Sequence, residues 1–197
     1  MLLRIVPWIF LLSCTSAHKA NTNKILVGIM PLNASQSINI DELASQISSF
    51  YACKCVVLPT ENMPQNAYYK PRNRYRADSI LNFLENKIPD SIDVLLALTS
   101  FDISTSLKNH HDWGVFGLGR CPGKVCVISD FRLNKSVSNQ QKMTRLKNVA
   151  LHEIGHNFGR QHCGDSACLM KDAKGKLSNV EGGNRKLCKR CHEQIFN

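Results

Sequence analysis

The sequence predicts an α/β fold, α+β in its segregated parts: a small mixed β-sheet, two to three long helices and a C-terminal cysteine-rich segment. Three observations predict it. The first half of the chain alternates short β-branched runs with amphipathic stretches, the second half carries one long helical pattern, and four of the nine cysteines fall after residue 160. With 197 residues, 43% of them hydrophobic and 20% charged, the chain is large enough for a real core and too small to divide comfortably into two domains. Apolar content is too high for a disordered chain, and there is no Gly-X-Y repeat, sustained heptad or internal repeat.

The N-terminus comes first. Its apolar run, Ile5 to Leu12, falls far short of the roughly 20 residues of a membrane-spanning helix. Placed between Arg4 and Leu11-Leu12-Ser13-Cys14, it has the layout of an export signal over residues 1–17. Two readings of its processing stay open. Leu-x-Ser-Cys resembles a bacterial lipobox, which would make Cys14 a lipidated first residue, whereas Thr15-Ser16-Ala17 offers ordinary small-x-small cleavage. The expectation is a single domain over residues 18–197, exported to a bacterial cell envelope and lipid-anchored in the periplasm or on the outer surface.

Lys24 to Leu32 is short, β-branched and ended by Pro31, the pattern of a buried strand. Asp41 to Tyr51, with Asn39 as cap and Leu43, Ile47 and Phe50 on one face, predicts a helix. A second strand is expected over Ala52 to Leu58, then a polar surface loop over 59–75, a helix over Ala77 to Ile88, and a third strand over Ile92 to Leu98. That alternation calls for βαβ crossovers and parallel neighbours. Gly114 to Gly119 and Lys124 to Ser129 predict two short strands joined around Pro122-Gly123.

From Ser138 to Phe158 the pattern is helical, with Leu146, Ala150, Ile154 and Phe158 forming one apolar stripe. His152 and His156 lie two positions off that stripe, about 200° around the helix at 100° per residue. Two imidazoles one turn apart can reach one metal ion, and Glu153 can meet a water beside it. His162 could not join them on a continuing helix, because it would sit about 9 Å further up the axis than His156. Gly159 can adopt the left-handed conformation that ends a helix, and so bend His162 back as third ligand. By composition, the full His-Glu-x-x-His-x-x-Gly-x-x-His string arises by chance about once in 10⁵ chains.

Cys163, Cys168, Cys188 and Cys191 follow with spacing C-x4-C-x19-C-x2-C. Four thiolates in two close pairs suit a tetrahedral structural zinc, and two disulfides are the competing reading in an oxidising compartment. The formal net charge of +10 comes from Lys and Arg that are scattered, except for Lys70 to Arg76 and Lys171 to Lys189. The first cluster is read as a solvated face.

The string from His152 to Cys191 resembles the archaemetzincin signature: a metzincin zinc motif followed directly by Cys, then Cys, Met and a Cys-x-x-Cys pair. A weaker likeness covers Ala67 to Asn82 and Phe116 to Ser129. The resemblance implies a metzincin-like catalytic domain with catalytic zinc on His152, His156 and His162, and structural zinc on Cys163, Cys168, Cys188 and Cys191 within residues 163–191. Met170 would supply the methionine turn beneath the catalytic zinc. An antiparallel edge strand would hold an extended peptide, and Val115 to Leu118 is the candidate for it. The export signal departs from the family, and Cys53, Cys55, Cys121 and Cys126 stand outside its signature, as local disulfides or buried thiols.

The expected function is that of an exported, monomeric zinc metallopeptidase with two Zn2+, acting on a peptide or protein through a zinc-activated water with Glu153 as general base. Asn157 and Gly155 are read as helix fillers rather than catalysts, and no nucleic acid is expected as partner. The rivals are a zinc-ribbon-like nucleic-acid-binding module resting on Arg185, Lys186, Lys189 and Arg190, and a catalytically inactive zinc-binding domain that recognises peptides.

Overall fold

The computed structural model describes residues 25–33, 38–134, 137–183 and 185–196, so the export segment and Cys14 lie outside the described residues. Strand β1, Leu26–Pro31, is buried over five of its six residues. Helix α1, Ile40–Tyr51, starts where the Glu42 N–H donates to the Asn39 side chain at 3.1 Å and buries Leu43, Ile47 and Tyr51. Its end differs from the expected boundary. Ala52 takes a left-handed φ of 51° and caps α1, so strand β2 begins later, over Lys54–Val57.

The expected loop over 59–75 contains a small hairpin instead, β3 (Tyr68–Tyr69) and β4 (Arg74–Arg76), with Asn73 at φ 47° in the turn. Helix α2, Ala77–Glu85, buries Ile80, Leu81 and Leu84 and stops three residues early. Strand β5, Val94–Thr99, is buried throughout. After it come β6 (Ile103–Leu107), β7 (His110–Val115), β8 (Gly117–Gly119) and β9 (Val125–Ser129). The single strand expected over Gly114 to Gly119 is thus two, in different sheets. Val115 pairs with Ile103, whereas Gly117 pairs with Ile128, and the chain changes sheets at Phe116, whose carbonyl accepts from the Ser129 N–H at 2.8 Å. Helix α3 spans Asn139–Asn157 and is the one long helix among the described residues; α4 spans Lys189–Phe196.

The first sheet has the order β2-β1-β5-β9-β8, parallel except for β8, which runs antiparallel at its edge; the second has the order β3-β4-β6-β7. Alternate residues of the first sheet feed two cores, as the two-residue period of a strand requires. Val27, Ile29, Leu96, Leu98 and Ile128 pack with α1 and α3 on one face. Leu95, Ala97, Val125 and Val127 pack with α2 and Ile103 of the second sheet on the other. No helix among the described residues is long and apolar enough to cross a membrane. Beside β8 this layering leaves a cavity of about 620 Å³, lined by α3, β7, β8 and the segment after residue 160.

Candidate active site

Helix α3 carries the site. A capping box starts it: the Ser138 hydroxyl accepts from the Gln141 N–H at 3.3 Å, and the Gln141 side chain accepts from the Ser138 N–H at 3.0 Å. Leu146, Ala150 and Ile154 sit in the core as expected, with Phe158 packed at its margin. Burial spreads wider than that stripe, taking in Val149 and Leu151. The opposite face is walled by the C-terminal segment, and there the three histidines meet. Gly159, at φ 82°, turns the chain, donating to the His156 carbonyl at 2.8 Å, and His162 comes back beside the first two. One ring nitrogen from each of His152, His156 and His162 lies within 4.8 Å of the others.

The hydrogen bonds of the first two rings decide what the third dimension of this cluster is for. His152 Nδ1 donates to the Leu169 carbonyl at 2.9 Å, and His156 Nδ1 donates to the Arg160 carbonyl at 2.6 Å. A carbonyl only accepts, so both Nδ1 atoms hold the proton. Burial keeps the rings neutral, pushing His152 down to about 3 and His156 also below its ordinary value. Two bare Nε2 lone pairs therefore face each other at 3.1 Å. Such a pair repels unless a cation stands between the nitrogens, and neutral imidazole held by a backbone carbonyl is the form that ligates zinc. The donor set fits zinc.

Glu153 is buried against β8, and burial raises its carboxyl to about 8 despite an accepted hydrogen bond from the Gly119 N–H. Two glycines make room for it. A Cβ on Gly117 would stand 2.7 Å from Glu153 Cγ, and one on Gly119 would stand 2.8 Å from the Glu153 carbonyl. Met170 is fully buried with its sulfur against α3, 2.5 Å from where a Cβ on Gly155 would be. Gly155 thus leaves the gap that Met170 fills. The Asn157 side-chain amide donates to the Arg120 and Val125 carbonyls and ties α3 to the turn between β8 and β9. Two antiparallel edge strands line the cavity, β7 and β8, and the expected Val115 to Leu118 straddles the end of the first and the start of the second.

The cysteines form a separate, smaller cluster. The sulfurs of Cys163, Cys168, Cys188 and Cys191 all lie within 4.8 Å of one another. Cys163 and Cys188 stand 3.8 Å apart, well beyond the roughly 2 Å of a disulfide. Donors surround the sulfurs: the Cys188 N–H reaches Cys168 at 3.4 Å, Arg160 reaches Cys191 at 3.5 Å and Arg190 reaches Cys163 at 3.5 Å. The Asp165 N–H, with help from Arg190, holds Cys163 down to about 7, while burial and the neighbouring thiols push Cys191 up to about 12. Four soft sulfurs ringed by donors suit a tetrahedral zinc. Arg190, one of the residues on which a nucleic-acid module would rest, is turned onto these sulfurs. Cys53, Cys55, Cys121 and Cys126 are free thiols, Cys53 and Cys126 buried.

A buried glutamate beside three converging histidines, open to a cavity on an α/β scaffold, defines a class: a zinc-dependent hydrolase of the metzincin kind. The chain belongs to peptidase family M54, whose family model matches residues 36–197, and it is accordingly a zinc metallopeptidase related to the archaemetzincins. The archaemetzincin of Methanopyrus kandleri is 31% identical over 156 residues, covering 79% of this chain and 85% of that protein. That of Halobacterium salinarum is 29% identical over 163 residues, covering 79% of this chain and 90% of that protein. The crystal structure of the Methanopyrus kandleri archaemetzincin superimposes with a TM-score of 0.75 at 26% identity, over 89% of this chain and 95% of that one. An archaemetzincin from Archaeoglobus fulgidus, complexed with malonate, gives a TM-score of 0.73 at 27% identity, over 87% and 100%.

Proposed function

We propose that the chain cleaves peptide bonds at the centre formed by His152, His156 and His162 with Glu153 as general base, and that a second zinc on Cys163, Cys168, Cys188 and Cys191 is structural. The observation that carries the reading is the pair of unprotonated Nε2 atoms 3.1 Å apart next to a buried carboxyl. His152, His156 and His162 would hold the zinc, which would supply Lewis acidity towards a carbonyl and a water. Glu153 would take a proton from the attacking water and return it to the leaving amine. A carboxyl raised by burial suits both steps, being a stronger base when ionised and a proton carrier near neutral pH. The Leu169 and Arg160 carbonyls fix the two rings, and Met170 with Gly155 sets the helix on its support.

The test is Glu153→Gln, which keeps the size and reach of the side chain but cannot take a proton. Peptide hydrolysis should fall by about 10² to 10⁴, with zinc unchanged at about two per chain by metal analysis. Cleavage within a few-fold of wild type would place the base elsewhere. Export with lipid on Cys14 belongs to the same proposal, supported by the Leu11-Leu12-Ser13-Cys14 string. Cys14→Ser should free the protein from the membrane fraction, or leave unprocessed precursor there; a soluble wild-type chain beginning at His18 would establish plain cleavage.

A further inference from the structure

The cavity beside the histidines is apolar along Trp113, Val115, Leu118 and Val149, yet its charged lining is unbalanced. Four cations line it, Lys108, Lys171, Lys174 and Arg185, against two carboxylates, Glu153 and Asp172. Both carboxylates are engaged. Glu153 accepts from the Gly119 N–H, and Asp172 accepts from the Lys174 N–H at 2.8 Å while its other oxygen stands 3.9 Å from His162 Nδ1. Among the described residues none of the four cations has a carboxylate within 4.0 Å.

Among the described residues, two of the cations are half-buried and held only by neutral groups. Lys171 Nζ donates to the Asn179 side chain at 3.2 Å, and Arg185 Nε donates to the Glu181 carbonyl at 3.3 Å. Arg185 Nη1 is shut off from solvent without a partner among the described residues. Arg185 is only partly buried and lines the cavity, and a carboxylate is the group that matches a guanidinium fork.

We infer that this cavity selects peptides presenting a carboxylate to Arg185 and Lys171, either an acidic side chain near the cleaved bond or the free C-terminus of the peptide. The inference rests on the peptidase reading of the site. Lys108 and Lys174, more exposed, add attraction over a longer range that salt screens. Apolar neighbours such as Trp113 and Val149 contact the rest of the peptide and set no charge preference.

The experiment uses four matched fluorescent peptides, with Glu or Gln next to the cleaved bond and a free or an amidated C-terminus. Binding to the Glu153→Gln protein is measured by anisotropy, and cleavage by the wild type in parallel. The expected result is about tenfold tighter binding of whichever form carries the recognised carboxylate, a difference of about 1.4 kcal/mol. The preference should shrink below about threefold in Arg185→Gln and in Lys171→Gln, and less strongly in Lys108→Gln, which changes an exposed turn and tests charge without touching the packed wall. The two pairs of peptides separate side chain from terminus. Equal affinity for all four peptides overturns the inference. So does a preference for Gln over Glu, which would assign this end of the cavity to the unpartnered Asn148 Oδ1, and so does a carboxylate preference that survives all three substitutions. Carboxylate-dependent binding without cleavage by the wild type would sustain the inference and sink the peptidase reading, whereas cleavage of all four peptides with equal affinity would do the reverse.

Discussion

The histidine and cysteine clusters adjoin in the chain, since Cys163 follows His162, yet they are built on opposite terms. His152 and His156 stand on a 19-residue helix whose far side is welded into the main core, and His162 is turned back to them after Gly159. The cysteines share a small cluster with Met170, apart from both main cores. Dependence between them is unequal. The loop fastened by Cys163 and Cys168 delivers the Leu169 carbonyl that holds His152, the Met170 under Gly155 and Asp172 beside His162. In return, His156 Nδ1 holds the Arg160 carbonyl, and the Arg160 guanidinium donates to Cys191 at 3.5 Å. The proposed catalytic site is therefore shaped mainly by the segment that carries the proposed structural one.

Cys188→Ser should break this relation most strongly. A structural zinc contributes on the order of 10 kcal/mol where it is the main organiser of a small domain, and less where a separate core exists. The variant should lose thermal stability well beyond His156→Ala and should lose both metals, because His162 and the Leu169 carbonyl go with the loosened segment. His156→Ala should lose one zinc and keep the other. Metal analysis and thermal unfolding on the same samples check both halves. A Cys188→Ser protein that keeps its catalytic zinc and full activity would show the two sites to be independent.

The same contrast explains what was legible in the sequence. The histidine triad follows from a helical period plus one turn glycine, and the four cysteines from their spacing; both are local patterns. Spacing alone left zinc and disulfides open on the cysteines, and the 3.8 Å between the Cys163 and Cys188 sulfurs is too long for a disulfide in that pair. The second sheet was missed because its strands are short and polar. Tyr68–Tyr69 and Arg74–Arg76 are held through partners far along the chain, as in the Arg74 contacts with Asp102 and Asp112 at 3.1 and 3.2 Å. Gly117 fell within the expected peptide-holding strand, but the room that Gly117 and Gly119 make for Glu153 left no trace, since what they accommodate lies 34 residues or more downstream. The expected export signal lies outside the described residues.

Those glycines give the second test, set against one beside the cysteines. In Gly117→Ala the new Cβ would meet Glu153 Cγ at 2.7 Å and Val149 at 3.0 Å, so the carboxyl must move. Overpacking of this kind costs about 1–3 kcal/mol. Catalysis should fall by about 10- to 100-fold, since a displacement near 1 Å at the reacting groups has that order of effect, while zinc content stays unchanged. Gly164→Ala, next to Cys163, meets nothing within 4 Å. It should be neutral or stabilising by about 0.4–1 kcal/mol through the unfolded chain. Equal effects on kcat from the two substitutions would mean that Glu153 is not positioned by β8.

The smallest expected effect is a pH dependence of opposite sign at the two sites, read in metal-free protein. Glu153 has its pKa raised by burial from 4.5 to about 8, so between those values the folded protein keeps a proton that the unfolded chain has released. The stability this proton confers is complete below about pH 4.5 and is lost as pH rises towards 8. Glu153→Gln carries no such group, so its melting temperature should gain on wild type across that window. His152 titrates alike in both proteins and cancels from the difference. Water in the adjoining cavity should hold the gain to about 1 kcal/mol, a few degrees in a domain of this size. At Cys163, held down to about 7 from 9.0 by the Asp165 N–H, the sign reverses: its contribution is complete above about pH 9 and is lost as pH falls through 7. Chelator-treated Cys163→Ser should accordingly lose most against wild type at high pH, where Glu153→Gln gains most. Parallel curves for the two variants would mean that burial does not charge-separate the sites, and that the hydrogen bonds from Gly119 and Asp165 dominate both.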